Sequence, residues 1–82
     1  MAEQKLLKLT ISKVDAPVYD GDVVSVHVPG VDGEMEILAH HTALISPLRQ
    51  GTITVKTTDG QETYDITSGT LEVSNNHATV LM

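Results

Sequence analysis

Four histidines (His27, His40, His41 and His77) and eleven Asp and Glu residues are the side chains of this 82-residue chain that could bind a metal or move a proton. Their spacing argues against both. No H-x-H, H-x-x-x-H or H-E-x-x-H occurs, and the adjacent His40 and His41 would point to opposite sides of a strand, so no metal site is expected. Ser, His and Asp are all present, but no G-x-S-x-G elbow presents a nucleophile. Glu34 and Glu36 share one face of an alternating segment, yet a chain with two aromatics offers no sugar cleft between carboxylates. Gly30 and Gly33 sit outside any G-x-G-x-x-G or P-loop pattern and read as turn glycines. The residues therefore predict no catalytic group, no cofactor and no metal.

The elements that must position these side chains centre on Val28 to Leu48. Pro29 and Gly30 are expected to stop one strand and Asp32-Gly33 to reverse the chain. Glu34 to Leu38 then alternates, which would turn Met35 and Ile37 to a core and Glu34 and Glu36 to water or a partner. His40 to Ala43 form a polar corner before Leu44 and Ile45 resume the apolar pattern. A loop held in this way suits docking.

Charge bounds the partner. The formal net charge is −6, and no Lys or Arg lies between Lys13 and Arg49, while Asp15, Asp20, Asp22, Asp32, Glu34 and Glu36 all do. Nucleic acid and anionic membrane surfaces need clustered cations, so the charge argues against both as direct partners and leaves solubility or a basic protein partner as its reading. There is no cysteine, and no run is long enough for a signal peptide or for direct membrane insertion.

Elsewhere the chain is β throughout. Leu7, Leu9 and Ile11 alternate with polar residues, and a very short extended piece at Val18-Tyr19 precedes a reversal at Asp20-Gly21. Val23 to Val28 is the most strongly β segment, with Val24, Val26 and Val28 expected on one face and Val23, Ser25 and His27 on the other. A strand from Gly51 carries Ile53 and Val55 inward, Thr58-Asp59-Gly60 closes a hairpin, and Tyr64 and Ile66 continue the apolar face. Leu71 and Val73 alternate in the next strand, Asn75-Asn76 turns in a left-handed conformation, and His77 to Met82 is the last strand, expected inside a sheet. Residues Met1 to Gln4 are expected to fray. No helical period appears. The expected architecture is all-β: one domain over residues 1–82, a small flattened antiparallel β-sandwich of two sheets built from short strands. Short edges interrupted by Pro17, Pro29 and Pro47, with an acidic surface, predict a monomer when isolated.

With L-K-L-T-I-S, V-Y-D-G, D-V-V-S-V-H-V-P-G, G-E-M-E-I-L-A-H-H-T-A-L-I, P-L-R-Q-G-T-I-T-V, S-G-T-L-E-V and A-T-V-L in this order, the chain resembles the N-terminal β-sandwich domain of the epsilon subunit of F-type ATP synthase. The family block runs approximately G-E-L-G-I-L-P-G-H-A-P-L-L, so Gly33, Glu34, Ile37, Leu38, His41, Leu44 and Ile45 carry the match. The chain departs from it at Glu36 for Gly, Ala39-His40 for Pro-Gly, Thr42-Ala43 for Ala-Pro, and Ser68 for the first of two Gly. Two C-terminal helices, a brake on hydrolysis in many members, are not in this sequence, and the lack of tag or linker residues favours a naturally short form over an excised domain.

The resemblance implies a non-catalytic rotor subunit on the central stalk of a proton- or sodium-driven rotary ATP synthase. It would link the gamma subunit to the polar loops of the c-subunit ring, peripherally on the cytoplasmic side of the membrane. Carried over by position, the ring contact falls on Asp32, Gly33, Glu34 and Met35, and the stalk contact on Ile37, His41 and Thr42. A free-standing β-sandwich interaction module and a small enzyme are the alternatives.

Overall fold

A computed structural model describes residues 5–82, and among them the chain forms nine strands and no helix. The expected fraying of Met1 to Gln4 lies outside the described residues. The strands are β1 (Leu7–Ser12), β2 (Pro17–Val23), β3 (Ser25–Gly30), β4 (Gly33–Leu38), β5 (Leu44–Leu48), β6 (Gly51–Thr57), β7 (Gly60–Ile66), β8 (Gly69–Ser74) and β9 (His77–Leu81). Several follow the two-residue period of their sequence, whereas β3, near the middle of its layer, is buried at every position but His27. Leu7, Leu9 and Ile11 are fully buried while Lys8 between them is exposed, and Ile53 and Val55 are buried between exposed Thr52 and Lys56.

One hydrogen-bonded ladder runs β2-β1-β9-β8-β5-β3-β6-β7, with β4 on the remaining edge of β3. Between β5 and β3 it narrows to a single pair, Gly30↔Leu48. There it folds over, setting β2-β1-β9-β8-β5 against β4-β3-β6-β7 as the two layers of the expected sandwich. Aliphatic side chains from both layers fill the space between, among them Leu9, Ile11, Leu71 and Val80 from the first and Val26, Val28, Ile37 and Ile53 from the second. The last strand is internal, as expected, but β9 pairs with β1 in parallel, where every other pair is antiparallel. Almost the whole chain separates these two strands, so no tight turn dictates their direction.

Three local expectations are corrected. Asp20-Gly21 is no reversal: β2 continues through it, pairing Thr10↔Asp20 and Leu9↔Gly21. The glycine serves packing instead, since a Cβ on Gly21 would stand 3.2 Å from the Tyr19 hydroxyl, whose ring lies along its own strand. Second, Val23 ends β2 rather than opening β3. A bend at Val24, whose N–H donates to the Lys56 carbonyl (2.7 Å), resets the side-chain phase, so Val23 and Val26 are both buried. Third, Pro29 does not itself break β3: it keeps a ladder position, and the strand ends, as expected of the pair, at the following Gly30. Pro29 faces Glu34 in a non-hydrogen-bonded pair of the β3–β4 ladder, so its missing N–H would have pointed away from β4, and its carbonyl still accepts from Arg49 N–H (2.9 Å). Pro29 therefore guards no edge. Pro17 does, at the start of β2, and Pro47 does so on the side of β5 that β3 meets only at its end.

The outermost strands β2 and β7 are closed over by the chain's two aromatics. The Tyr19 and Tyr64 rings lie 6.2 Å apart at 59°, and the Tyr64 hydroxyl donates to Glu62 (2.9 Å). Burial raises both phenols above the ordinary 10.0. The carboxylates of Glu62, Asp22 and Asp20 add to this at Tyr19, and at Tyr64 the hydrogen bond to Glu62 and its charge do so. A raised phenol keeps its proton longer in the fold than in the unfolded chain. Its contribution is intact below the ordinary value and is lost as pH climbs through and above it. Melting temperature is thus expected to fall as pH rises above the ordinary phenol value, and the Tyr19→Phe, Tyr64→Phe double variant to fall less steeply. Parallel declines in thermal melts would show that the two phenols are not responsible.

Candidate functional site

The β3–β4 hairpin closes on the pair Gly30↔Gly33, which leaves Val31 and Asp32 as a two-residue turn, both exposed. Gly33 leaves the turn at φ +140, a conformation that side-chain-bearing residues rarely adopt. Beyond it β4 alternates as expected. Glu34 and Glu36 are exposed, Met35 is half-buried with its methyl beside Gly30, and Ile37 is fully buried opposite Val26. Expected as a contact residue, Ile37 has no surface to offer a partner: it anchors the strand that carries its neighbours.

A second turn completes this end of the molecule. Arg49 and Gln50, between β5 and β6, are tied to the hairpin by Arg49 N–H to the Pro29 carbonyl (2.9 Å) and Val31 N–H to the Pro47 carbonyl (3.2 Å). The Arg49 guanidinium also donates to Glu34 Oε2 at 2.6 Å, and His27 Nδ1 lies 3.3 Å from the other oxygen. The cation-free interval in the sequence is therefore not cation-free in space. Arg49, the residue that ends the interval, folds back onto Glu34. Sequence reasoning missed this because it depends on how the β5–β6 turn stacks on the β3–β4 hairpin. Asp32, at the apex, makes no ion pair or side-chain hydrogen bond among the described residues.

His41 and Thr42 are not part of this tip. They follow the far end of β4, roughly 17 Å away along six extended residues. His40 there takes φ 63, and its N–H donates to the Asn76 side chain (2.7 Å), whose amide in turn donates to the Leu6 carbonyl (2.9 Å). Where the family pattern has Gly, His40 thus adopts a left-handed backbone conformation that glycine visits freely, with the Asn76 bond offsetting part of its strain. His41 N–H bonds the Leu38 carbonyl (3.2 Å), and its Nδ1–H donates to the Thr42 carbonyl (2.7 Å), which holds the imidazole against its own loop.

Among the described residues no three His, Asp or Glu side chains stand where they could hold a metal ion. Open depressions of about 380 Å³ beside Lys13, Asp65 and Met82 and about 390 Å³ beside Leu44 and Glu72 include no tip residue. The geometry consists of two rigid ends of one strand, each displaying polar groups.

Known proteins with this pattern are consistent in kind. The sequence model described as "ATP synthase, Delta/Epsilon chain, beta-sandwich domain" matches residues 6–82. An ATP synthase epsilon chain of Protochlamydia amoebophila is 44% identical over 77 residues, covering 93% of this chain and 52% of the relative. One of Latilactobacillus sakei is 39% identical over 82 residues, covering 96% and 57%. The chain therefore spans about half the length of these curated relatives. Among solved structures, it superimposes with a TM-score of 0.87 on a chain of the Euglena gracilis mitochondrial ATP synthase, an assembly of OSCP, F1 and c-ring, at 22% identity over 98% of this chain and 51% of that one. A chain of the Tetrahymena thermophila mitochondrial ATP synthase central stalk and c-ring gives 0.80 at 11% identity, covering 98% and 65%. At those identities the superpositions speak for the fold alone. Matched from residue 6 to residue 82, this chain belongs to the delta/epsilon-chain β-sandwich domain family of ATP synthase.

Proposed function

We propose that the domain is a non-catalytic rotor element of a rotary ATP synthase that joins the gamma subunit to the polar loops of the c-ring and carries ring rotation to the stalk. The observation that carries this reading is the family match across residues 6–82. The relatives are named epsilon chains, and one structural neighbour belongs to a central stalk and c-ring assembly. The geometry suits such a coupling role. Strand β4 is fixed by a full ladder to β3 and by Ile37 in the core, and it displays the Asp32–Met35 tip at one end and His41 and Thr42 at the other. A stiff strand between two contacts transmits displacement instead of absorbing it. The tip would meet the ring and the His41 corner the stalk.

Such a domain works peripherally at the cytoplasmic side of the membrane, and no helix among the described residues is long and apolar enough to cross it. With a net charge of −6 it has no affinity for nucleic acid, and by itself it is a monomer.

The test is to add the chain to vesicles carrying the synthase stripped of its epsilon subunit, following membrane retention and proton-driven ATP synthesis. Retention with a gain in synthesis is expected. Asp32→Lys should weaken retention roughly two- to fivefold at low salt and less at high salt, as for a screened surface contact, whereas Asp59→Lys at the opposite end of the sandwich should not. A chain that stays in the supernatant and binds no gamma subunit would overturn the proposal in favour of an independent interaction module.

A further inference from the structure

The tip carries three charges close together: Asp32 at the apex, and Glu34 held 2.6 Å from Arg49. Glu34 is also approached by His27 at 3.3 Å, so both its oxygens are engaged within the chain. Arg49 in turn is fastened at several points, donating its N–H to Pro29 and its second guanidinium nitrogen to the Gln50 carbonyl (3.2 Å). A guanidinium placed in this way against a carboxylate is a directional, charge-assisted pair. Glu36 lies two residues further from the turn and faces His27 across the β3–β4 ladder. Asp32, by contrast, stands at the outermost point with no partner among the described residues.

We infer that Arg49 cancels Glu34 inside the chain, so that Asp32 is the carboxylate the tip offers to a basic side chain of its partner, with Arg49 as a positioning residue. The inference rests on the tip being the ring-facing end, and it separates Asp32 from Glu34, which the resemblance groups together in the ring contact. It also gives the β5–β6 turn a part in recognition. By bridging the β5–β6 turn to the β3–β4 hairpin, Arg49 fixes where the apex stands and withdraws one of its two negative charges. The partner it fits is a polar loop bearing an isolated cation: a denser basic surface would find one free carboxylate at the apex and a guanidinium beside it.

The charge bookkeeping makes the inference testable without disturbing the core, because Asp32, Glu34 and Arg49 are all exposed. Association of each variant with epsilon-stripped synthase vesicles is followed at pH 8, at ionic strengths of about 0.02 to 0.3 M, with thermal melts to confirm folding. Asp32→Asn should slow association roughly two- to tenfold at low salt. Glu34→Gln should also slow it, because it leaves Arg49 as an unpaired cation facing a cation, and Arg49→Gln should speed it. Two double variants keep the tip's net charge. Glu34→Gln with Arg49→Gln should return to the wild-type rate and salt dependence, while Asp32→Asn with Arg49→Gln should stay slow. The opposite pattern would make Glu34 the contact and overturn the inference, as would recovery in both doubles, which would mean that position within the tip is immaterial. If no single variant alters association while the wild-type chain still binds, the tip does not face the ring, and the assignment of the ring contact fails along with the inference.

Discussion

Replacing Ile53 by alanine is expected to cost about 2 to 4 kcal/mol, out of a total stability of about 4 to 12 kcal/mol for a domain of this length. Ile53 is fully buried on β6, which lies between β3 and β7 and helps to tie one layer together. Its cross-strand neighbour is Tyr64, the half-buried ring that meets Tyr19 over the side of the sandwich. Truncation therefore opens a void beneath the one place where the outermost strands touch through aromatics. With only two aromatics in the chain, few large side chains are available to collapse into it. The variant should shift the urea midpoint strongly, and Val26→Ala should do so less because fewer carbons are removed. Thr52→Ala, one residue away and exposed, should change little. Equal midpoints for Ile53→Ala and Thr52→Ala would mean that β6 presents its other face to the core, since a one-residue slip exchanges the faces of a strand.

Gly30→Ala is expected to destabilise the domain by about 1 to 3 kcal/mol and to spoil the tip as well. A Cβ there would fall 2.6 Å from the Gly33 carbonyl oxygen and 3.0 Å from the Met35 methyl. The methyl can swing aside, but the carbonyl belongs to the residue that closes the turn, so relief requires the Val31-Asp32 turn to move. Gly33→Ala makes an informative comparison. Its Cβ would meet nothing within 4 Å, but the residue stands at φ +140, so the cost is backbone strain at the same turn. Both variants should lose stability in urea melts. Gly30→Ala should also lose the Arg49–Glu34 pairing, because the second turn hangs on the carbonyl of neighbouring Pro29. Wild-type stability for Gly30→Ala would show that the hairpin is slacker than its geometry requires.

Much of this was legible beforehand because a β-sandwich writes its core in a two-residue period. Leu7, Leu9 and Ile11, Ile53 and Val55, and Leu71 and Val73 each alternate with polar residues in the sequence and are buried in the fold. The Asn75-Asn76 turn was readable from side chains that tolerate a left-handed backbone, and both residues adopt it, at φ 52 and 59. Local chemistry misled where a residue served a neighbour instead of its own backbone. Gly21 resembles half of a turn signal and instead clears room for Tyr19, and Pro29 resembles a terminator and instead fills a ladder position that needs no donor.

By itself, then, the sequence determined the all-β class, the composition of the core, the exposed carboxylates of β4 and the family pattern, because each depends on residue type at short spacing. Only the tertiary structure decided that β1 and β9 run parallel, that Ile37 is an anchor without a surface, and that His41 and Thr42 stand at the opposite end of β4 from Asp32. It also decided the electrostatics of the tip. Glu34 and Arg49 are fifteen residues apart, one on the β3–β4 hairpin and one in the β5–β6 turn, and no local rule brings them together. Their pairing exists because the ladder folds over at Gly30↔Leu48, which stacks one turn on the other and sets a cation against a stretch that is purely acidic in the linear chain.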